Sequence, residues 1–134
     1  ESQLTSGTSK ATEVVEKINI TAIMSLGDVE SGKKIFKKCA ACHSINKGGK
    51  NKIGPALYNV VGRAVGNLDD YKYSKALASY GKEWTFEELN GFLQKPASYL
   101  KGTKMSYAGL RKEKDRASII KYLNQKSDNP KLLP

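Results

Sequence analysis

Groups able to hold a metal are scarce in this chain. Its 134 residues include one histidine, two cysteines and two methionines. A zinc site needs four soft or imidazole ligands, and the cysteines and histidine supply three. Long apolar runs are missing too. The longest, around Ala22-Ile23-Met24, is far too short for a bilayer span of about 20 residues. At Glu1 there is neither a basic n-region nor an apolar h-region, so no signal peptide is visible. Aromatic residues make up 8%, no segment alternates cleanly as a strand would, and no internal repeat appears. Acid is also in short supply: 13 Asp and Glu face 23 Lys and Arg, for a net charge of +10. That balance favours acidic partners, nucleic acid or anionic lipid. The chain has no nucleic-acid-binding motif and no surface interleaving basic and aromatic residues, which argues against nucleic acid.

What the chain does have is concentrated. Both cysteines and the histidine lie in Cys39-Ala40-Ala41-Cys42-His43. C-x-x-C-H is the attachment pattern for haem c: two thioethers fix the macrocycle and the adjacent imidazole reaches the iron. Three other readings compete. A thioredoxin-like dithiol needs a strand before it, whereas these cysteines end a helical pattern and run into a glycine-rich loop. Zinc lacks its fourth ligand. A disulfide across two residues would be strained.

The chain length suggests one compact domain. Residues 1–26 open with polar and small residues and read as a flexible extension or tether. If flexible, they would span roughly 25–30 Å. The domain is expected over residues 27–126, with a C-terminal tail at 127–134. Asp28 caps a predicted helix that turns Val29, Ile35, Phe36 and Cys39 to the core. Gly32 lies within it, at a cost that a close helix crossing would justify. Residues 44–72 read as loops. A short helix is expected over Ser74–Ser79. Thr85-Phe86-Glu87-Glu88 is a capping box opening a helix through Leu93, which Pro96 ends. A last helix is expected over Lys114–Gln125.

An iron held by His43 needs a second axial ligand or an open face. Methionine is usually core filler, but Met105 stands in a loop of polar and small residues. Met24 lies in the N-terminal extension. His/Met ligation would raise the potential and leave no site for substrate, separating a carrier from a haem enzyme or gas sensor.

With these residues in view, the chain resembles a class I cytochrome c of the mitochondrial and cytochrome c2 type, from about Gly27 to Gln125. The resemblance implies an all-α fold in which N- and C-terminal helices cross, with helices and loops wrapped around one covalently bound haem. Gly32 and Phe36 would meet Ile119 and Tyr122 at that crossing. Haem c would be attached through Cys39 and Cys42, with His43 as an axial ligand. Gly54-Pro55-Ala56-Leu57 resembles the turn whose proline carbonyl accepts a hydrogen bond from the axial histidine. Gly102-Thr103-Lys104-Met105 resembles the methionine loop, which makes Met105 the sixth ligand and places Thr103 beside it. Arg63, Tyr73 and Trp84 match the groups around the propionates, with Tyr71 in a weaker role. Phe92 and Leu77 depart from the family pattern, standing where tyrosine and asparagine are common.

The same resemblance implies a one-electron carrier of a respiratory chain rather than an enzyme. Its expected partners are a cytochrome bc1 complex, through cytochrome c1, and a haem–copper cytochrome c oxidase. Lys38, Lys52, Lys104, Arg111 and Lys112 would surround the docking edge. The expected location is the bacterial periplasm rather than the mitochondrial intermembrane space. The polar N-terminal segment resembles that of the membrane-anchored branch, with a tether upstream of residue 1.

Overall fold

The computed structural model describes residues 20–134. Every regular element among them is helical; the single extended pairing is an isolated bridge between Ala64 and Glu83. Helix α1 is seen over residues 20–26, followed by α2 (Val29–Ile35), a 3-10 turn (Phe36–Lys38) and α3 (Lys75–Ala78). Then come α4 (Phe86–Gln94), α5 (Pro96–Tyr99) and α6 (Glu113–Gln125). The segment between the 3-10 turn and α3 is irregular, as expected from its Gly, Asn and Asp content.

Side-chain caps start three of these helices. The Asp28 carboxylate accepts from the Ser31 N–H at 2.8 Å, Ser74 Oγ from Leu77 N–H, and Thr85 Oγ1 from Glu88 N–H. The reciprocal half of the expected capping box does not form. The Thr85 N–H turns to the Glu83 carbonyl, and the Glu88 carboxylate instead accepts from the hydroxyls of Tyr80 (2.6 Å) and Tyr99 (2.8 Å). Burial, then the adjacent Glu88, hold the Tyr99 hydroxyl well above its ordinary pKa. Glu88 thereby ties α4 to α5 and to the loop before Trp84. Pro96 ends α4, as expected, and also occupies the first turn of α5, where its missing N–H costs nothing.

The core is set by the crossing of α2 with α6. Phe36 meets Tyr122 with ring centroids 5.7 Å apart. A Cβ on Gly32 would overlap the Ser118 carbonyl and stand 2.8 Å from Tyr122 Cβ, so only glycine allows this approach. Gly32 therefore lies against Ser118 and Tyr122 at the crossing. Ile119 is 1% exposed and lies deep in the core.

The boundary expected between residues 26 and 27 moves. Residues 20–26 are helical, and Ile20, Ile23 and Met24 are 3%, 6% and 1% exposed within the same core. These three and Gly27 fall at i, i+3, i+4 and i+7, a single helical stripe. Gly27 lies against the α6 backbone, where a Cβ would come within 2.5 Å of Ser118 N. The Lys121 ammonium also donates to the Gly27 carbonyl. The rest of the expected extension lies outside the described residues. At the other end the tail is docked. Asn124 and Lys131 exchange two hydrogen bonds of 2.9 Å through the Asn124 amide and the Lys131 backbone.

Candidate cofactor site

The pentapeptide continues directly from the 3-10 turn. Cys39 N and Ala40 N donate to the Phe36 carbonyl, and Cys42 N and His43 N to the Cys39 carbonyl. These overlapping turns put both thiols and the imidazole on one tight coil. Both cysteines are free and half-buried. Burial, reinforced by Cys42, pushes the Cys39 thiol above its ordinary range, with Lys38 opposing weakly. A redox dithiol depends on a depressed thiol pKa, and the Cys39 shift runs the other way. Among the described residues no strand precedes the motif either.

His43 is aimed by its backbone neighbours. Its Nδ1 lies 2.7 Å from the Pro55 carbonyl oxygen, an acceptor only, so Nδ1 carries the proton and Nε2 keeps its lone pair. Gly54 lies flat against the ring: a Cβ there would come within 2.8 Å of both ring nitrogens. Burial holds the imidazole below its ordinary pKa, against the opposing Pro55 hydrogen bond, with Arg63 and Lys52 adding to the depression. A neutral, tautomer-fixed imidazole is the form that ligates a metal. Two main-chain bonds hold the surrounding loop: Gly54 N to the Cys42 carbonyl (2.7 Å) and Leu57 N to the Ser44 carbonyl (2.9 Å). Asn51, not singled out in the sequence, adds its side-chain oxygen to Ala56 N and its amide to the Asp70 carbonyl.

Arg63 is half-buried, and among the described residues it forms no ion pair. Its guanidinium donates to the Tyr58 carbonyl at 3.3 Å, and burial pushes its pKa down. A desolvated cation in that position calls for an anion that the described residues do not provide. Tyr73 is near enough to act on it electrostatically. The Tyr73 hydroxyl accepts from Leu68 N at 3.2 Å, leaving its own hydrogen to donate. Tyr71 packs edge-on against Tyr73, centroids 4.9 Å apart, and donates to the Ile53 carbonyl at 2.6 Å. Trp84 is buried against Phe92, centroids 5.0 Å apart. The Phe92 position is therefore an apolar aromatic contact. Leu77 is half-buried against the core.

Of the two methionines, Met24 is wholly buried in the core, whereas Met105 is half-buried and packs on the core from one side. Thr103 Oγ1 accepts the Met105 N–H at 3.2 Å, and Gly102 turns the loop with φ +93°. The five cations expected at a docking edge are all exposed. Two are also anchored: Lys52 donates to the Ala40 carbonyl at 2.9 Å and Lys104 to the Lys72 carbonyl at 2.8 Å. Sequence reasoning missed Arg116, which is 3% exposed. It bonds Asn90 and the Leu110 and Arg111 carbonyls, holding the strap between the methionine loop and α6. No sequence signal marks it, because it reads as one more surface cation.

Two free thiols, a neutral oriented imidazole and a desolvated guanidinium with no acid partner among the described residues fit a tetrapyrrole with thioether links, a ligated iron and carboxylate arms. An all-α domain with that donor set defines a c-type haem protein. Residues 29–127 match the family model described as Cytochrome c. A cytochrome c homolog of Rickettsia typhi (strain ATCC VR-144 / Wilmington) is 46% identical over 122 residues, covering 90% of this chain and 70% of that protein. A cytochrome c homolog of Bradyrhizobium diazoefficiens is 44% identical over 125 residues, covering 92% of this chain but 65% of the relative. Among solved structures, cytochrome cH from Methylobacterium extorquens superposes with a TM-score of 0.70 at 39% identity, covering 75% of this chain and all of that one. The chain belongs to the cytochrome c family. It is a class I cytochrome c: an electron-transfer protein carrying covalent haem c, not an enzyme.

Proposed function

We propose that this cytochrome carries single electrons from a cytochrome bc1 complex to a haem–copper oxidase in the bacterial periplasm. Haem c supplies the one-electron couple, and the chain's residues set its ligation, charge and access. Cys39 and Cys42 hold it covalently. His43, with Nδ1 committed to Pro55, would offer Nε2 to its iron. Met105, in a loop held by Thr103, would offer its sulfur. Arg63, with Tyr73 and Trp84, receives the propionates. The observation that carries the closed His/Met reading is the different burial of the two methionines, which leaves only Met105 on the half-buried side of the core. With His43 and Met105 both serving as ligands, no position would remain for a substrate, as an electron carrier requires.

The partner reading rests on the exposed cations. Lys38 adjoins the cysteine motif, and Lys52 is bonded into it through Ala40. Lys104, Arg111 and Lys112 flank the methionine loop. Such a ring steers the domain to acidic surfaces, with a Debye length of about 8 Å at physiological salt. A membrane tether upstream of residue 1 belongs to the same proposal, and it would join the domain through α1 rather than at residue 27. No helix among the described residues is long and apolar enough to cross a membrane.

The test measures second-order rates of reduction by bc1 complex and oxidation by oxidase, across ionic strength, for the native protein and a Lys38→Glu/Lys104→Glu variant. Native rates should fall steeply with salt, and the variant should be slowed about 10-fold or more at low salt. Equal rates for both proteins at every ionic strength would remove this partner reading. A ferric spectrum lacking the weak far-red band of methionine-ligated haem would remove the ligation reading.

A further inference from the structure

The C-terminal tail makes a dense set of contacts with residues 58–63, and nothing in the ligation scheme uses them. The two oxygens of Asp128 divide between two neighbours: Oδ1 accepts from the Tyr58 hydroxyl and Oδ2 from Asn59 Nδ2, each at 3.1 Å. Asp128 N donates to Asn59 Oδ1 at 2.8 Å, and Asn59 N to the Lys126 carbonyl at 2.9 Å. Lys47, from the loop after His43, completes the cluster with its ammonium 3.0 Å from Asp128 Oδ1. Asn59 is the one non-glycine with positive φ among the described residues, at +66°. That conformation costs free energy and persists where surroundings enforce it; here Asp128 bonds both ends of the Asn59 amide. The Lys131 side chain then covers Gly62, whose φ is +87°.

This clamp leads to Arg63 within a few residues. The Tyr58 carbonyl is the acceptor for the Arg63 guanidinium, and Tyr58 is gripped at its other end by Asp128. We propose that Asp128 is a positioning residue of the haem site, holding the Tyr58–Asn59 turn so that the Tyr58 carbonyl keeps Arg63 against a propionate. The inference rests on the reading of Arg63 as the propionate partner.

Positioning and simple electrostatics move the midpoint potential in opposite directions. Asp128 is ionised at neutral pH, since Asn59, Lys47 and Tyr58 hold its carboxyl below the ordinary 3.8. Deleting its charge would by Coulomb's law alone disfavour the more positive ferric form and raise the potential. Releasing Arg63 does the reverse. A propionate less well neutralised stabilises ferric iron and lowers the potential.

The experiment is redox titration of the holoprotein at pH 7 for Asp128→Asn, Tyr58→Phe, Asp128→Glu and Arg63→Gln. Tyr58→Phe breaks one hydrogen bond without changing charge, so it decides the matter if Asp128→Asn fails to fold. The expected result is a lowered potential in Arg63→Gln, Asp128→Asn and Tyr58→Phe, with Asp128→Glu closer to native. A raised potential in Asp128→Asn with none of the shift in Tyr58→Phe overturns the proposal and leaves Asp128 a surface charge. An unchanged potential in Arg63→Gln overturns the propionate reading itself, a failure distinct from that of the clamp.

Discussion

At Gly54 one missing carbon decides how an imidazole is held. The ring of His43 occupies the space a Cβ would need, and its Nδ1 reaches the carbonyl of the next residue, Pro55. Proline fixes φ there and has no N–H to compete for that region. Gly54→Ala should therefore push the ring off the Pro55 carbonyl, costing about 1–3 kcal/mol by overpacking. Denaturant unfolding of the holoprotein measures that loss, and the ferric spectrum should report weakened histidine ligation. A variant with native stability and spectrum would show that the loop yields freely. The motif residues were legible in the sequence because their chemistry is rare and their spacing short. Arg63 could be named only by resemblance. Its half-burial without an acid is a three-dimensional fact, and composition gives an arginine no address. The Asp128 clamp was wholly hidden, because it joins positions 69 and 70 residues apart through ordinary polar side chains.

Helices were legible where a cap or a period announced them. Asp28 and Thr85 act as the caps their sequence context suggests, and Ser74 caps α3 in the same way. The capping box half-failed for a tertiary reason: Glu88 finds two tyrosine hydroxyls, and a charged acceptor favours two O–H donors over one backbone N–H. Helix α1 follows a polar, linker-like stretch at residues 1–9 that obscures it, although Ile20, Ile23, Met24 and Gly27 keep helical spacing. The packing gives this element a measurable weight. Met24 is wholly buried, so Met24→Ala should cost about 2–5 kcal/mol. Leu26 on the same helix is 50% exposed, and Leu26→Ala should stay within about 0.5 kcal/mol of native. Guanidinium unfolding of the two holoproteins makes the comparison. A loss below about 0.5 kcal/mol for Met24→Ala would mean that α1 lies on the domain without supporting it.

For the molecule as a whole, the core is sealed where α2 crosses α6 and only partly covered elsewhere. Around α2 and α6 side chains are sealed: Ala117, Ile119 and Ile120 are 0–1% exposed. Cys39, Leu57, Leu77, Met105 and Tyr107 are among the hydrophobic residues that touch that core but remain only half-buried. The segment that carries the cysteine motif, Pro55, Arg63 and Tyr73, residues 39–74, has no helix of its own. Its order comes from turns and main-chain bonds, each worth about 1 kcal/mol net, against a backbone entropy of about 1–2 kcal/mol per residue. Haem c would close the balance by giving both halves one apolar partner. Because the thioether links survive unfolding, that partner is present in the unfolded chain as well. Stabilisation is then intramolecular and should not depend on protein concentration, unlike that by a dissociable ligand. A haem-free Cys39→Ala/Cys42→Ala chain should consequently lose its cooperative thermal transition and its near-ultraviolet circular dichroism. The holoprotein should melt in one step at a midpoint unchanged over a tenfold range of concentration. The decisive observation is the haem-free melt. A sharp transition there would assign the order of residues 39–74 to the polypeptide alone, and the half-buried side would be a surface in its own right rather than one face of a shared core.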